Sequence, residues 1–325
     1  MAIAAAALVP LAGSVAGCGG GDEPGAGSGP AVVATTTHVA DIAANVAGDR
    51  AEVVGILAPG ADPHDYEPRP SDAEALTRAD LVLRSGGELD LWLDDLIAGS
   101  GSEAQVIDLL GSVRTIEGGH AEEGHEDEEE EHEAEDADGD EVDPHWWQSL
   151  ANGALAAQEI RDRLIEADPA GRDSYEAATE EYVREIERLD LAIESCMASI
   201  PGQRRKLVSS HDSLGYFANR YRIEVVGSTI PALTTQAQPS AGETSELIDL
   251  IREEDVSAVF AEAGLSGDLE RAVAEETGAS VGADLYADSL AAEGPAATYL
   301  GATAANAEAL ASGFSTGKLR CDLPG

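Results

Sequence analysis

The sequence predicts an α/β protein of two lobes, each a parallel β-sheet flanked by helices, joined by one long backbone helix. Short β-branched runs alternate with amphipathic segments in both halves of the chain, which is the pattern of βαβ crossovers. Between the halves, apolar residues recur every three or four positions from residue 169 to residue 199. A chain of 325 residues is long enough for two such lobes.

Residues 1–18 are predicted to be a lipoprotein signal peptide. They are apolar, too short to span a bilayer, and end in Val-Ala-Gly-Cys. Such a run resembles a bacterial lipoprotein signal, which is cut before the cysteine so that Cys18 carries lipid. A processed signal with an incidental cysteine is the alternative. Residues 19–30 are rich in Gly, Pro and Ser and are expected to form a flexible tether.

The N-terminal lobe is predicted to span residues 31–168. Its strands are predicted at AVVATTT, AEVVGIL, LVLRSG and QVIDLL, with helices between them. Residues 118–143 break this alternation, because they are almost purely acidic and cannot contribute to a core. The segment DPHWW that follows is predicted to begin a helix that runs to Leu164, capped by Asp143.

The connecting helix is predicted at residues 169–199 and the C-terminal lobe at residues 200–325. About thirty helical residues reach ~45 Å, enough to extend along both lobes. A coiled coil is a weaker interpretation, because the repeat is too short. The second lobe repeats the pattern with predicted strands KLVSS, IEVVGS, VSAVFAE and SVGAD. Asp212 is the predicted cap of a helix that ends at Tyr221.

The chain carries 19 basic and 63 acidic residues, a formal charge of −44. This balance argues against nucleic-acid binding and against attachment to membranes through basic residues. It suits a protein that handles cations.

Export would place the chain in an oxidising compartment, where Cys196 and Cys321 can form a disulfide. The bond would fix the C-terminus to the long helix. Two separate buried thiols are the alternative.

Three histidines far apart in sequence occupy similar positions. His211 follows a predicted strand, His64 lies in the loop after another, and His145 opens a predicted helix. The carboxyl ends of strands in such folds face the crevice where ligands bind. Imidazole nitrogens suit zinc, and a carboxylate completes the shell. Together the three predict one metal site between the lobes, although each alone is compatible with a structural role.

The segments GADPHDYEPRPSD, DPHWW, SSHDSLGYFANRYRIEVVGSTIPALTTQAQPSAGE and LYADSL occur in this order. They resemble the zinc/manganese substrate-binding lipoproteins of bacterial ABC transporters, over residues 31–310. The resemblance implies two lobes on a helical backbone and one metal in the cleft, held by His64, His145, His211 and Asp288. The assignment of Asp288 rests mostly on the family pattern. Asp284 and Glu262 are alternative candidates for the carboxylate ligand.

The same resemblance implies a partner and a location. The protein would deliver its metal to an ABC-transporter permease with its ATPase, and a lipid anchor would hold it at the outer face of the cytoplasmic membrane or in the periplasm. We expect a monomer. A surface adhesin or zinc buffer without a transporter is one alternative function. A zinc hydrolase is a remote one, since the chain has no His-Glu-x-x-His helix.

Zinc is the metal that this ligand set favours. Family members that handle manganese often have a carboxylate where this chain has His211. Three nitrogens and one carboxylate form a softer site, for which the affinity order places zinc far above manganese. Manganese is the alternative.

Four further residues and one pair have open roles. His120, His125 and His132 lie in the acidic insert, which is predicted either to collect zinc weakly or only to keep the protein soluble. His38 is interpreted as a helix cap or as a neighbour of the metal ligands. Trp146 and Trp147 are expected to pack against the start of their helix.

Overall fold

The computed structural model describes residues 29–118 and 142–324. The predicted signal peptide with Cys18, most of the tether, and the insert histidines His120, His125 and His132 lie outside the described residues.

The N-terminal lobe contains a parallel four-stranded sheet in the order β2-β1-β3-β4. Its strands are β1 (Ala31–Ala34), β2 (Glu52–Gly55), β3 (Leu81–Arg84) and β4 (Gln105–Asp108). Its crossover helices are α1 (Thr37–Ala47), α2 (Pro70–Arg78) and α3 (Trp92–Ser100). Because all strands run the same way, the loops after them lie along one edge of the sheet.

Two long helices separate the lobes, α4 (Leu150–Ala167) and α5 (Arg172–Ala198). They are divided by Asp168 and a 3-10 turn that begins at Pro169, since proline cannot continue the first helix. Most side chains of α5 that the apolar repeat predicts to face inward are buried, among them Tyr182, Ile186 and Ile193, whereas Ala178 is half-buried. One core runs from the first sheet through α4 and α5 into the second lobe.

The C-terminal lobe has parallel pairs β5–β6 and β7–β8. The N–H of Phe260 donates to the carbonyl of Val208 at 2.9 Å, so β7 lies beside β5. The strands are β5 (Lys206–His211), β6 (Glu224–Ile230), β7 (Ala258–Val259) and β8 (Ser280–Val281). The helices are α6 (Gly215–Tyr221), α7 (Ala241–Glu253), α8 (Asp268–Thr277) and α9 (Tyr299–Phe314).

The predicted α/β class with a long helix is confirmed, but two helix starts are wrong. The helix expected from DPHWW is a 3-10 turn at Trp146–Gln148, and α4 begins only after Ser149, whose side chain caps it. The helix expected from Asp212 begins at Gly215. The backbone N–H of Asp212 donates to the carbonyl of Ala232.

A disulfide joins Cys196, near the end of α5, to Cys321 in the C-terminal tail. The predicted pairing is therefore present in the structure. Within residues 29–118 and 142–324, the helices all lack the combination of length and apolar character that a bilayer span requires.

Candidate metal centre

His64 reaches the cleft from a 3-10 turn, Pro63–Asp65, in the loop between β2 and α2. Asp62 caps this turn, because its Oδ1 accepts a hydrogen bond of 2.8 Å from the N–H of His64. The preceding proline fixes φ at the first position of the turn. The sequence Asp-Pro-His thus builds a rigid support for one imidazole.

His145 lies just before the 3-10 turn at Trp146–Gln148 and is fully buried. Oδ1 of Asp143 lies 2.8 Å from both the backbone nitrogen and the ring Nδ1 of His145. This carboxylate fixes the direction of the ring and leaves Nε2 to face the cleft.

His211 is the last residue of β5 and is also fully buried. Its Nδ1 lies 2.8 Å from Oε2 of Glu262, on the side of the ring opposite the cleft. Two of the three imidazoles are therefore backed by buried carboxylates, the arrangement typical of metal-bound histidines.

Asp288 completes the cluster from the loop after β8. Its Oδ2 lies 3.1 Å from Nε2 of His64 and 3.2 Å from Nε2 of His211, and its Oδ1 lies 3.5 Å from Nε2 of His145. Its oxygens are buried and accept no other hydrogen bond among the described residues. A buried carboxylate that faces only imidazole nitrogens is stabilised by a positive charge placed among them.

The spacing of the four side chains suits a single ion. Nε2 of His145 lies 3.4 Å from Nε2 of both His64 and His211. One ligand atom from each of the four residues lies within 4.8 Å of the others. A tetrahedral zinc shell with bonds of about 2.0–2.1 Å has ligand–ligand edges of about 3.3–3.4 Å. The distances of 3.1–3.5 Å between neighbouring donor atoms are close to these edges.

The charges in this pocket shift the pKa values of its groups. Burial lowers the pKa of His211, but the negative charges of Asp288 and Glu262 raise it by more, so its net pKa is well above the ordinary value. Burial and the charge of Asp288 raise the pKa of Glu262 to about 7. Burial raises the pKa of Asp288, but the charges of His211 and His145 outweigh it and hold that pKa well below its usual range. The buried carboxylates of the site thus favour a positive charge on or between its imidazoles.

The carbonyl of Ala287 joins the two lobes beside the cluster. It accepts hydrogen bonds from Nε1 of Trp147 at 2.8 Å and from Nε2 of Gln148 at 2.7 Å. The residues directly after His145 are thereby bonded to the residue directly before Asp288. Trp146 and Trp147 are buried, and the expectation that they pack at the helix start agrees with this.

His38 is not a cap, since Thr36 caps α1. Its ring stacks on Trp147 with the centroids 5.1 Å apart, and Trp147 in turn contacts His145. Burial lowers the pKa of His38 to about 3, so the ring is neutral. It acts as an aromatic support behind the cluster.

The two competing carboxylates lie elsewhere. Asp284 is exposed, and Glu262 contacts the outer nitrogen of His211. Sequence reasoning took Asp143, the last residue of the acidic insert, as a helix cap and missed its contact with the ring of His145. The pattern Asp-x-His was the available signal, because a carboxylate two residues before a histidine can bond its backbone and ring together.

Fold and donor set define a class, an α/β protein with a cleft suited to a divalent transition metal. The family model described as "Zinc-uptake complex component A periplasmic" matches residues 32–313. The chain belongs to this family of metal-binding proteins of ABC transporters, and it is an extracytoplasmic protein.

Individual proteins agree with that assignment. The manganese-binding lipoprotein MntA of Halalkalibacterium halodurans is 30% identical over 303 residues, which cover 92% of this chain and 94% of that protein. The iron-binding protein YfeA of Yersinia pestis is 31% identical over 284 residues, 87% of this chain and 86% of that protein.

Solved structures show the same fold. The periplasmic zinc-binding protein TroA of Treponema pallidum aligns with a TM-score of 0.76 at 23% identity, over 88% of this chain and 99% of that chain. The Mn-bound periplasmic metal-binding protein of Candidatus Liberibacter asiaticus aligns with a TM-score of 0.75 at 25% identity, over the same shares.

Proposed function

We propose that this protein captures a divalent transition metal, zinc in preference to manganese, with His64, His145, His211 and Asp288. It then delivers the ion to an ABC-transporter permease for uptake. One observation carries the proposal: four side chains from distant parts of the chain place donor atoms within 4.8 Å of one another. Family membership supports the transport role.

The donor set supports zinc. Three imidazole nitrogens and one carboxylate oxygen are borderline ligands, and their affinity for zinc exceeds that for manganese by the general order of divalent metals. The two relatives described above are named for manganese and for iron, so the donor set, and not these relatives, is the argument for zinc.

We assign the protein no reaction. The four proposed ligands fill a tetrahedral shell, whereas a catalytic zinc keeps a position open for water or substrate. Residues 313–317, Gly-Phe-Ser-Thr-Gly, match the pattern of a nucleophile elbow. They end α9, however, and do not connect a strand to a helix as that motif does.

The domain plan proposed from the sequence fits this role. Cys18 would carry the lipid that anchors the protein, residues 19–30 would form the tether, and a monomer would present its cleft to the permease. Labelling the protein with a radioactive fatty acid in cells tests the anchor, and the variant Cys18→Ala should remain unlabelled.

The ligands are tested by zinc titration of purified protein, with the apparent affinity as the measurement. His211→Ala and Asp288→Ala each remove a donor, and we expect a loss of at least about a hundredfold. Asp284→Ala is the matched control, since it removes an exposed carboxylate four residues away, and it should bind as the wild type does. Equal affinities for Asp284→Ala and Asp288→Ala would contradict the ligand set.

The metal preference is tested by competition between zinc and manganese, read by elemental analysis. The variant His211→Glu exchanges a nitrogen for a carboxylate and should move the preference towards manganese. If the wild type exported from cells grown with both metals holds manganese, the zinc proposal fails.

The insert remains a separate proposal. A collector role for His120, His125 and His132 predicts slower uptake at limiting zinc after deletion of residues 119–140, with the affinity of the cleft unchanged. Unchanged uptake would leave only the role in solubility.

A further inference from the structure

Residues 231–240 form an irregular segment between β6 and the Ser240 cap of α7. The segment belongs to the long motif that follows His211, and neither the proposed ligands nor the sheet explains its polar side chains. Two of these side chains, Thr235 and Gln236, cross the cleft to the loop that carries His64.

The contacts are short and directed. Oγ1 of Thr235 donates to Oδ2 of Asp62 at 2.6 Å. Nε2 of Gln236 donates to the carbonyl of His64 at 2.5 Å and lies 3.1 Å from Oδ1 of Asp65. We name Thr235 and Gln236, with these acceptors, the cross-cleft latch.

The latch fixes both backbone polar groups of His64. Its carbonyl is bonded directly by Gln236. Its N–H is bonded to Oδ1 of Asp62, and the other oxygen of that carboxylate is bonded by Thr235. A movement of His64 away from the cleft therefore breaks the contacts to the opposite lobe together.

His64 is also the proposed ligand that lies nearest to solvent. Its side chain is 7% exposed, against 2% for Asp288 and 0% for His145 and His211. Buried carboxylates hold the rings of His145 and His211. His64 is held instead through its backbone, by groups that water can reach and replace.

We propose that Thr235 and Gln236 are positioning residues that hold His64 on the bound ion and thereby set the rate at which the ion leaves. This inference rests on the proposed function of the four-ligand site. An ion can escape only when a ligand withdraws, and the latch opposes withdrawal of the most accessible one. Loss of the latch should therefore raise the rate at which the ion dissociates. It should leave the association rate unchanged, because the ion enters when His64 is already withdrawn.

The test is the rate at which zinc-loaded protein yields its metal to an excess of chromogenic chelator. A net hydrogen bond corresponds to a factor of about three to ten, so Thr235→Val and Gln236→Ala should each accelerate release by about that factor. The double variant should exceed either one. Thr235→Ser keeps the hydroxyl and should release zinc at the wild-type rate.

Matched controls lie outside the latch. Thr244→Val removes a hydroxyl that bonds only within the start of α7, to the carbonyl of Ser240, and Gln203→Ala removes an exposed amide. Both should release zinc as the wild type does. Melting temperatures of all variants check that the exchange rates refer to folded protein.

Hydrogen exchange of residues 58–69 gives a readout that does not require metal. The amide of His64 should exchange faster in Thr235→Val than in Thr235→Ser. If zinc binds and His211→Ala abolishes binding, but the latch variants release zinc and exchange as the wild type does, the latch is wrong and the proposed function stands. If His211→Ala binds zinc normally, the proposed function fails and the latch inference fails with it.

Discussion

At the residue scale, each of the two fully buried imidazoles of the site contacts a carboxylate on the side of the ring away from the cleft. Asp143 contacts His145, and Glu262 contacts His211. These contacts fix which ring nitrogen is free and strengthen it as a donor. They also load the cleft with negative charge, which only a cation or bound protons can balance. Proton and metal are therefore competitors for the same nitrogens.

The pH dependence follows from the raised pKa of His211. Below that pKa the ring holds a proton that zinc must displace, so affinity should fall by about tenfold per pH unit for each displaced proton. Zinc titration at several values from about pH 5.5 to about pH 8 measures the slope. For protein stripped by a chelator the sign reverses. The charged ring then stabilises the fold at low pH, and this contribution is lost as the pH rises through the folded-state pKa.

Glu262→Gln provides the matched test of the cause. Removing that charge lowers the pKa of His211, so the decline in affinity should shift to lower pH. Glu275→Gln changes an exposed carboxylate on α8 and should leave the curve in place. An affinity independent of pH would show that His211 does not bind the ion.

At the scale of elements, the close approach of Gly153 on α4 to Tyr299, the first residue of α9, supports the segment that carries His145. Gly153 on α4 faces Tyr299, whose hydroxyl donates to the carbonyl of Trp147 at 2.6 Å. A Cβ at position 153 would lie 2.6 Å from that hydroxyl oxygen. The absence of a side chain there lets the tyrosine reach the backbone two residues from His145.

Gly153→Ala is therefore expected to lower the free energy of unfolding by about 1–3 kcal/mol through overpacking. Gly99→Ala is the matched control, since a Cβ on this α3 glycine meets nothing within 4 Å. It should be neutral or stabilise by up to about 1 kcal/mol, because alanine favours the helix. Urea unfolding monitored by circular dichroism compares the two, and equal effects would refute the packing argument.

The sequence predicted elements better than their ends. The repeated apolar positions of α5 identified its buried face, since a helix of that length has one periodicity. The 3-10 turn at Trp146–Gln148 was missed, because an Asp-Pro start is compatible with an α-helix and with a 3-10 turn. The bonds of Trp147 and Gln148 to the carbonyl of Ala287 distinguish the two, and they form only in the folded protein. The site divides similarly. His64, His145 and His211 follow from strand ends and helix starts, whereas Asp143 and Glu262 depend on ring orientations that no sequence pattern states.

At the scale of the whole molecule, α5 packs against α1 and α4 of the N-terminal lobe and against α6 and α9 of the C-terminal lobe. A continuous helix with a shared core is a stiff connection between lobes. Bending it would expose buried residues such as Ile186 and Leu189, at a cost of about 25 cal/mol per Å² of apolar surface. Large rotation of one lobe against the other is thus disfavoured.

The expected result is a small change in shape on loading. Solution X-ray scattering of chelator-treated and zinc-loaded protein should give nearly identical radii of gyration. Local rearrangement of the His64 loop then accounts for entry and exit. A marked compaction on loading would contradict this view and would favour hinged closure.

The bonds from Trp147 and Gln148 to the carbonyl of Ala287 have a consequence for the path of a departing ion. They tie the neighbours of His145 and Asp288 together across the cleft, so these two proposed ligands are held close to each other. We expect His64 to withdraw from the ion first, and His145 and Asp288 to withdraw last. Once His64 has withdrawn, three of the four proposed donors remain, so a permease would compete with a site that holds the ion more weakly than the full set does.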